Sequence, residues 1–171
     1  MATVRYDDVT YHTYGDLPVV GSHAPDINLV NTSLHNVSLS NWMGMRKIMN
    51  IFVSIEREVC AKSVREFDRM GNGQEDLAML MVSYDLPFTH ARFAKENDLQ
   101  NVVGLSAIRH AGFGENYGVL IVDGPLAGMF SRAVVVLDEN NTVVHTEQLE
   151  RLNNEPDYHA AFQALGIEVK Q

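Results

Sequence analysis

Apolar positions recur at every second residue near the N-terminus and at every third residue after position 60, and the changes of period divide the chain into elements. Val4 to Tyr6 and Val9 to Tyr14 alternate apolar or aromatic with polar side chains on either side of Asp7-Asp8, which predicts a hairpin. Gly21-Ser22-His23-Ala24-Pro25 breaks the alternation. Ile27–Val30 and the alternating Val37 and Leu39 predict two short strands, closed by Asn41-Trp42-Met43-Gly44, and Lys47–Val53 predicts a buried one. Ala61, Val64, Phe67 and Met70 form one apolar face of a helix that Gly71-Asn72-Gly73 stops. Leu77–Ser83 is a continuous apolar run, the pattern of a strand covered on both faces. Pro87 suits a first helical turn, with Phe88, Ala91 and Ala94 on a shared face, and Val102–Leu105 predicts a further strand. Ala133–Leu137 and Thr142–Thr146 flank the turn Asp138-Glu139-Asn140-Asn141, and a last helix opens at Glu155-Pro156-Asp157 with Tyr158, Ala161, Phe162 and Leu165 on one face. Strands alternating with helices, then a hairpin and a terminal helix, predict an α/β layer fold with a mixed sheet.

Within this pattern Cys60, the single cysteine, stands where the strand Lys47–Val53 has ended and the next helix begins. Free backbone N–H groups and the positive end of the helix dipole favour an anion there, and a thiol in such a place ionises more readily to its reactive form. The other reading is an inert cysteine packed as a small hydrophobe. Glu56 and Glu58 beside it oppose ionisation, while Arg57, Lys62 and Arg65 favour it.

Composition narrows the functional classes. A length of 171 residues suits a single domain over 1–171, and 46% hydrophobic with 20% charged residues describes an ordinary globular chain. The net charge of −9 argues against nucleic acid or an anionic membrane as partner. No apolar run reaches the roughly 18 residues of a membrane span, and the first residues lack a signal-peptide pattern, so a cytoplasmic location is expected. One cysteine allows no disulfide within the chain. Seven histidines are scattered without an H-x-x-x-H pair, so no metal is expected. Gly71-Asn72-Gly73 lacks the lysine of a phosphate-binding loop, and no cofactor is expected.

Several blocks resemble the bacterial thiol peroxidases, a branch of the peroxiredoxins. They are the strand, turn, Val59-Cys60 and helix; Asp85-Leu86-Pro87-Phe88 with Arg92-Phe93; Arg109 with Phe113 and Tyr117-Gly118-Val119; Asp123-Gly124-Pro125-Leu126 with Arg132–Asn140; and Glu155-Pro156-Asp157-Tyr158. They fall in family order along nearly the whole chain. The resemblance implies a thioredoxin-like (peroxiredoxin) fold with a central mixed sheet flanked by helices and an N-terminal β-hairpin. It implies reduction of hydrogen peroxide or alkyl hydroperoxides by a peroxidatic Cys60, a homodimer, and Arg132 as the guanidinium that faces thiolate and peroxide. A surface ion pair is the alternative for Arg132, and the better reading for Arg109. Ser54, Arg57 and Arg109 are further candidates for substrate contact.

Three positions depart from the family pattern. Val53 stands where the family has proline, Arg57 where it has threonine, and Ala94 where it has the resolving cysteine. Arginine has five donors and no acceptor, so it cannot relay a hydrogen bond as a hydroxyl does. Val53, without the rigid ring, predicts a sulfur more open to water. Ala94 leaves resolution to an external thiol, from glutathione, a thioredoxin-type protein or a second subunit. Two readings follow: a one-cysteine peroxidase, or a relative weakened in catalysis that senses oxidants, binds a partner or serves as a structural dimer.

Overall fold

The computed structural model describes residues 1–169; positions 170 and 171, the end of the expected domain 1–171, lie outside the described residues. Strands β1 (Thr3–Tyr6) and β2 (Val9–His12) form the expected N-terminal hairpin. The remaining elements run β3 (Leu29–Val30), β4 (Asn36–Val37), β5 (Arg46–Ile51), α1 (Glu58–Met70), β6 (Leu77–Ser83), α2 (Pro87–Glu96), β7 (Val102–Ser106), α3 (Phe113–Asn116), β8 (Ala133–Leu137), β9 (Val143–Gln148) and α4 (Tyr158–Gln163). Seven strands of the described residues make one sheet in the order β4-β3-β7-β6-β5-β8-β9. β5, β6 and β7 are parallel, while β8 runs antiparallel to β5, so the sheet is mixed as predicted.

Alternate residues of the central strands face opposite layers. Ile48, Met79, Met81, Val134 and Val136 pack with Val64, Phe67 and Met70 of α1 and Phe162 of α4. Met49, Ile51, Leu80, Val82, Val135 and Leu137 pack with Phe113, Tyr117 and Phe130 on the other face. The continuous apolar run of β6 follows from this double cover.

Two predicted elements differ. Leu39 does not extend a strand: Leu39–Trp42 is a 3₁₀ turn. The Asn41 Oδ1 accepts from the Ser38 N–H (2.9 Å) and the Asp26 Oδ1 from the Leu39 N–H (3.0 Å), so nearby side chains replace a ladder partner. In α2 the buried residues are Pro87, His90 and Phe93, whereas Phe88 is 66% exposed. His90 faces inward because Gly104 of β7 has no side chain: a Cβ there would lie 2.7 Å from the Cβ of His90.

The N-terminal hairpin is tied to the chain near its other end. The Arg5 N–H donates to the Glu150 carbonyl (2.7 Å), and the Leu152 N–H to the Arg5 carbonyl (2.8 Å). This pins residues 150–154 beside the start of β8.

Candidate active site

The register of three strands gathers the chemistry. Ile51, the last residue of β5, stands opposite Val82 of β6 and Ala133 of β8. The turn after β5, the segment Ser83–Asp85 and Arg132 therefore meet at one end of the central strands. That turn leads into α1, with Arg57 as N-cap and Cys60 in the first helical turn, as the sequence predicts. The Cys60 N–H donates to the Arg57 carbonyl (3.0 Å). Its own carbonyl accepts from Ser63 Oγ (2.7 Å), which in turn accepts from Asn50 Nδ2 of β5 (3.0 Å). A buried polar chain thus fixes the first turn of α1 against the sheet.

Asp85 fixes the turn before it. Its carboxylate accepts from Ser54 Oγ (2.8 Å), the Ile55 N–H (2.8 Å) and Ser83 Oγ (2.6 Å), and Ser54 Oγ accepts from the Glu56 N–H (3.1 Å). Glu56 also pairs with Arg92 of α2. In the sequence Asp85 stands only in the block Asp85-Leu86-Pro87-Phe88, which carries no sign of this role. Replacing Asp85 with alanine removes all three of these hydrogen bonds and should lower stability by about 2 kcal/mol. Urea unfolding should show an earlier midpoint at unchanged slope, and Cys60 should alkylate faster because the turn that seals it frays. Unchanged values for both would deny Asp85 this role.

Arg132 lies just before β8 and is 0% exposed. Its Nη1 donates to the carbonyls of Leu152 (3.0 Å) and Asn154 (2.7 Å), in the segment the hairpin pins. Its Nε and Nη2 are buried and find no acceptor among the described residues. Burial pulls its pKa down; of the charges that raise it again, Cys60 acts most strongly, ahead of Tyr158 and Glu155, while Arg57 opposes them. This is not a surface ion pair. It is a buried guanidinium with two unengaged donor nitrogens, within electrostatic reach of Cys60.

A redoxin family pattern matches residues 19–162 of this chain. The chain belongs to the redoxin family. Over 165 residues this redoxin is 39% identical to a thiol peroxidase of Corynebacterium glutamicum, covering 96% of this chain and 99% of that one. It is 41% identical over 166 residues to a thiol peroxidase of Mycobacterium bovis, covering 97% and 99%. Its fold superposes on the solved thiol peroxidase of Chromobacterium violaceum with a TM-score of 0.89 at 28% identity, over 96% of this chain and 95% of the other. The fold is thus the thioredoxin-like peroxiredoxin fold, and the lineage is that of peroxiredoxin-type oxidoreductases.

The remaining candidates of this redoxin fall in different places. Arg57 stays at the site. Its Nη2 donates to Asn153 Oδ1 (2.7 Å), its guanidinium lies 4.6 Å over the Tyr6 ring, and its Nη1 is buried with no acceptor among the described residues. Ser54 holds the turn through Asp85. Arg109 does not join them: it is exposed and donates to Asn36 Oδ1 (2.9 Å) and the Leu34 carbonyl (3.4 Å) at the β3–β4 turn. Val53 does not open the sulfur to water, since Val53 is itself buried and Cys60 is 0% exposed. Ala94 lines a void of about 20 Å³ together with Val64, His90 and Gly104, which does not reach Cys60. Among the described residues no helix is long and apolar enough to cross a membrane.

Proposed function

We propose that this redoxin is a thiol-dependent peroxidase that reduces hydrogen peroxide or alkyl hydroperoxides at Cys60 in a one-cysteine cycle. The Cys60 thiolate bonds to the terminal peroxide oxygen while the O–O bond breaks. Cys60 becomes a sulfenic acid, and the other oxygen takes a proton and leaves as water or an alcohol. Arg132 steadies the thiolate and the charge growing on the departing oxygen through its unengaged Nε and Nη2. Because the sulfur is buried, peroxide entry requires the turn Ser54–Arg57 to open. An external thiol, from glutathione or a thioredoxin-type protein, then condenses with the sulfenic acid and releases water. A second thiol frees Cys60 and carries away the disulfide.

The observation that carries this reading is the fully buried guanidinium of Arg132, with Nε and Nη2 free of any acceptor among the described residues and within electrostatic reach of Cys60. The kinship with named thiol peroxidases supports the same reading. The setting is a single domain, in the cytoplasm, acting as a homodimer. Leu86, Phe88 and Ile108 are exposed beyond the adjacent ends of β6 and β7 and supply apolar surface for a second copy. Light scattering at micromolar concentration tests the dimer; a monomer mass removes it.

The sealed sulfur favours one further reading, a slow oxidant sensor with weakened turnover. Intact mass after equimolar peroxide, together with peroxide consumption, separates the two. A peroxidase gains one oxygen on Cys60 and consumes peroxide well above the rate of free cysteine, and Cys60→Ser loses both. A sensor gains the oxygen slowly and does not turn over with thiol. No gain of oxygen at all removes both.

A further inference from the structure

Beside the Cys60 turn lies an open cleft of about 620 Å³, lined by Tyr6, Arg57, Val59, Lys62, Asn153 and neighbouring carboxylates. Hydrogen peroxide needs a small fraction of that space. The cleft's carboxylates already have cations: Glu58 pairs with Arg65, and Glu155 with Lys62 at 3.2 Å. Arg57 alone among the cleft's cations has no carboxylate partner among the described residues. Its contacts are a neutral amide oxygen and the face of a tyrosine ring. A guanidinium offers five N–H donors in a planar fork that matches a carboxylate; here Nη2 donates to Asn153, and Nη1 is covered yet without an acceptor among the described residues, a donor left for an incoming anion once Tyr6 or Asn153 shifts. Arg57 is also the N-cap of the helix whose first turn holds Cys60, and Val59, on the cleft wall, precedes the cysteine. An anion held by Arg57 therefore leaves the rest of its molecule against the turn that covers Cys60, one residue from the cleft wall at Val59.

We propose that this cleft receives the carboxylate of a small organic reactant of Cys60, anchored on the fork of Arg57, the reactant being either the hydroperoxide or the thiol that reduces the sulfenic acid. The proposal rests on the peroxidase reading and names the chemistry of its substrate. The carboxylate replaces a neutral partner of Arg57 with a charged one, and hydrogen bonds to charged groups are the stronger kind. Arginine at the position where the family has threonine thereby trades a hydroxyl relay for an anion anchor.

The experiment compares each acid with its methyl ester in rapid-mixing kinetics at low salt. γ-Hydroperoxyisocaproate and its ester probe oxidation of Cys60; mercaptopropionate and its ester probe reduction of the sulfenic acid. In the native protein one of the two half-reactions should favour the acid by about tenfold, the scale of one hydrogen bond to a charged group. The ratio should fall toward one in Arg57→Thr, survive in part in Arg57→Lys, and shrink with added salt. A preference in the first half-reaction assigns the cleft to the peroxide, and one in the second assigns it to the thiol. Ratios near one in both, or a ratio that Arg57→Thr leaves intact, overturn the proposal. Should no peroxide oxidise Cys60, the peroxidase reading falls, and calorimetry with isocaproate decides the cleft separately. Binding that Arg57→Thr abolishes upholds the anion site; no binding to the native protein ends it.

Discussion

Replacing Arg132 with methionine should slow the oxidation of Cys60 by hydrogen peroxide by about 10²–10³-fold, the scale for one preorganised donor lost from a developing oxyanion, while the protein stays folded. Two opposed effects govern its stability. The guanidinium is fully buried without a carboxylate partner among the described residues, and taking such a charge out of water costs several kcal/mol, which methionine removes. Against this, two carbonyls lose a charged donor. Leu152 is buried, but Asn154 is exposed and can turn to water. The net change should stay within about 2 kcal/mol. Stopped-flow oxidation and urea unfolding of the same preparation make the comparison. Arg132→Lys should recover little of the rate, because a single ammonium cannot face sulfur and oxygen together while still reaching the two carbonyls. A rate within threefold of the native one would show that Arg132 merely fills space. A collapse of the fold would show instead that its bonds to residues 152–154 are its main task.

The elements were legible wherever burial alone decides the pattern. β6 read as a doubly covered strand and is one, and Cys60 stands at the strand-to-helix junction that the period change marked. What failed was decided by contacts across the sheet. The family resemblance ranks Arg132 ahead of Arg109, but nothing local in the sequence says where either side chain lies. Only the pairing of Ile51 with Ala133 brings one of them to Cys60 and leaves the other at the β3–β4 turn. The role of Asp85 depends on the parallel register of β5 with β6, which carries its carboxylate to an amide 30 residues earlier in the chain. The inward face of α2 was misjudged because its anchor is His90, a polar residue that an apolar count passes over. The openness expected from Val53 failed for a similar reason. Burial of Cys60 depends on the whole fitted turn, including the Arg57 side chain packed on Tyr6 from the distant N-terminal hairpin.

His90 supplies the second large effect, a loss of stability on mild acidification. Its ring is buried between Phe52 and β7, with Nε2 3.0 Å from Ser83 Oγ. Ser83 has one hydroxyl proton and donates it to Asp85, so Nε2 of His90 must be the donor to Ser83, and the neutral ring is then the tautomer with Nδ1 bare. Protonation would place a charge at Nδ1, against Gly104, inside the protein. Burial accordingly lowers the His90 pKa to about 4 from 6.5, with the nearby Asp85 carboxylate opposing the shift. Above pH 6.5 the ring is neutral in both the folded and the unfolded chain, and its contribution to stability is complete. Between 6.5 and about 4 the unfolded chain takes up a proton that the folded chain refuses. Stability therefore falls with falling pH by about 1.4 kcal/mol per unit once the unfolded form is protonated, about 3 kcal/mol in all by pH 4. The loss down to pH 5, before most carboxylates titrate, is about 2 kcal/mol and is the cleaner quantity. Urea midpoints across that interval should decline steeply in the native protein and far less in His90→Gln, whose side chain can still donate to Ser83 but carries no titrating group. The comparison is of slopes, so a variant less stable at neutral pH is equally informative. Parallel slopes would mean that the buried ring is protonated as readily as an exposed one, and the hydrogen-bonded chain from His90 through Ser83 and Asp85 to the Cys60 turn would then lack its neutral terminus.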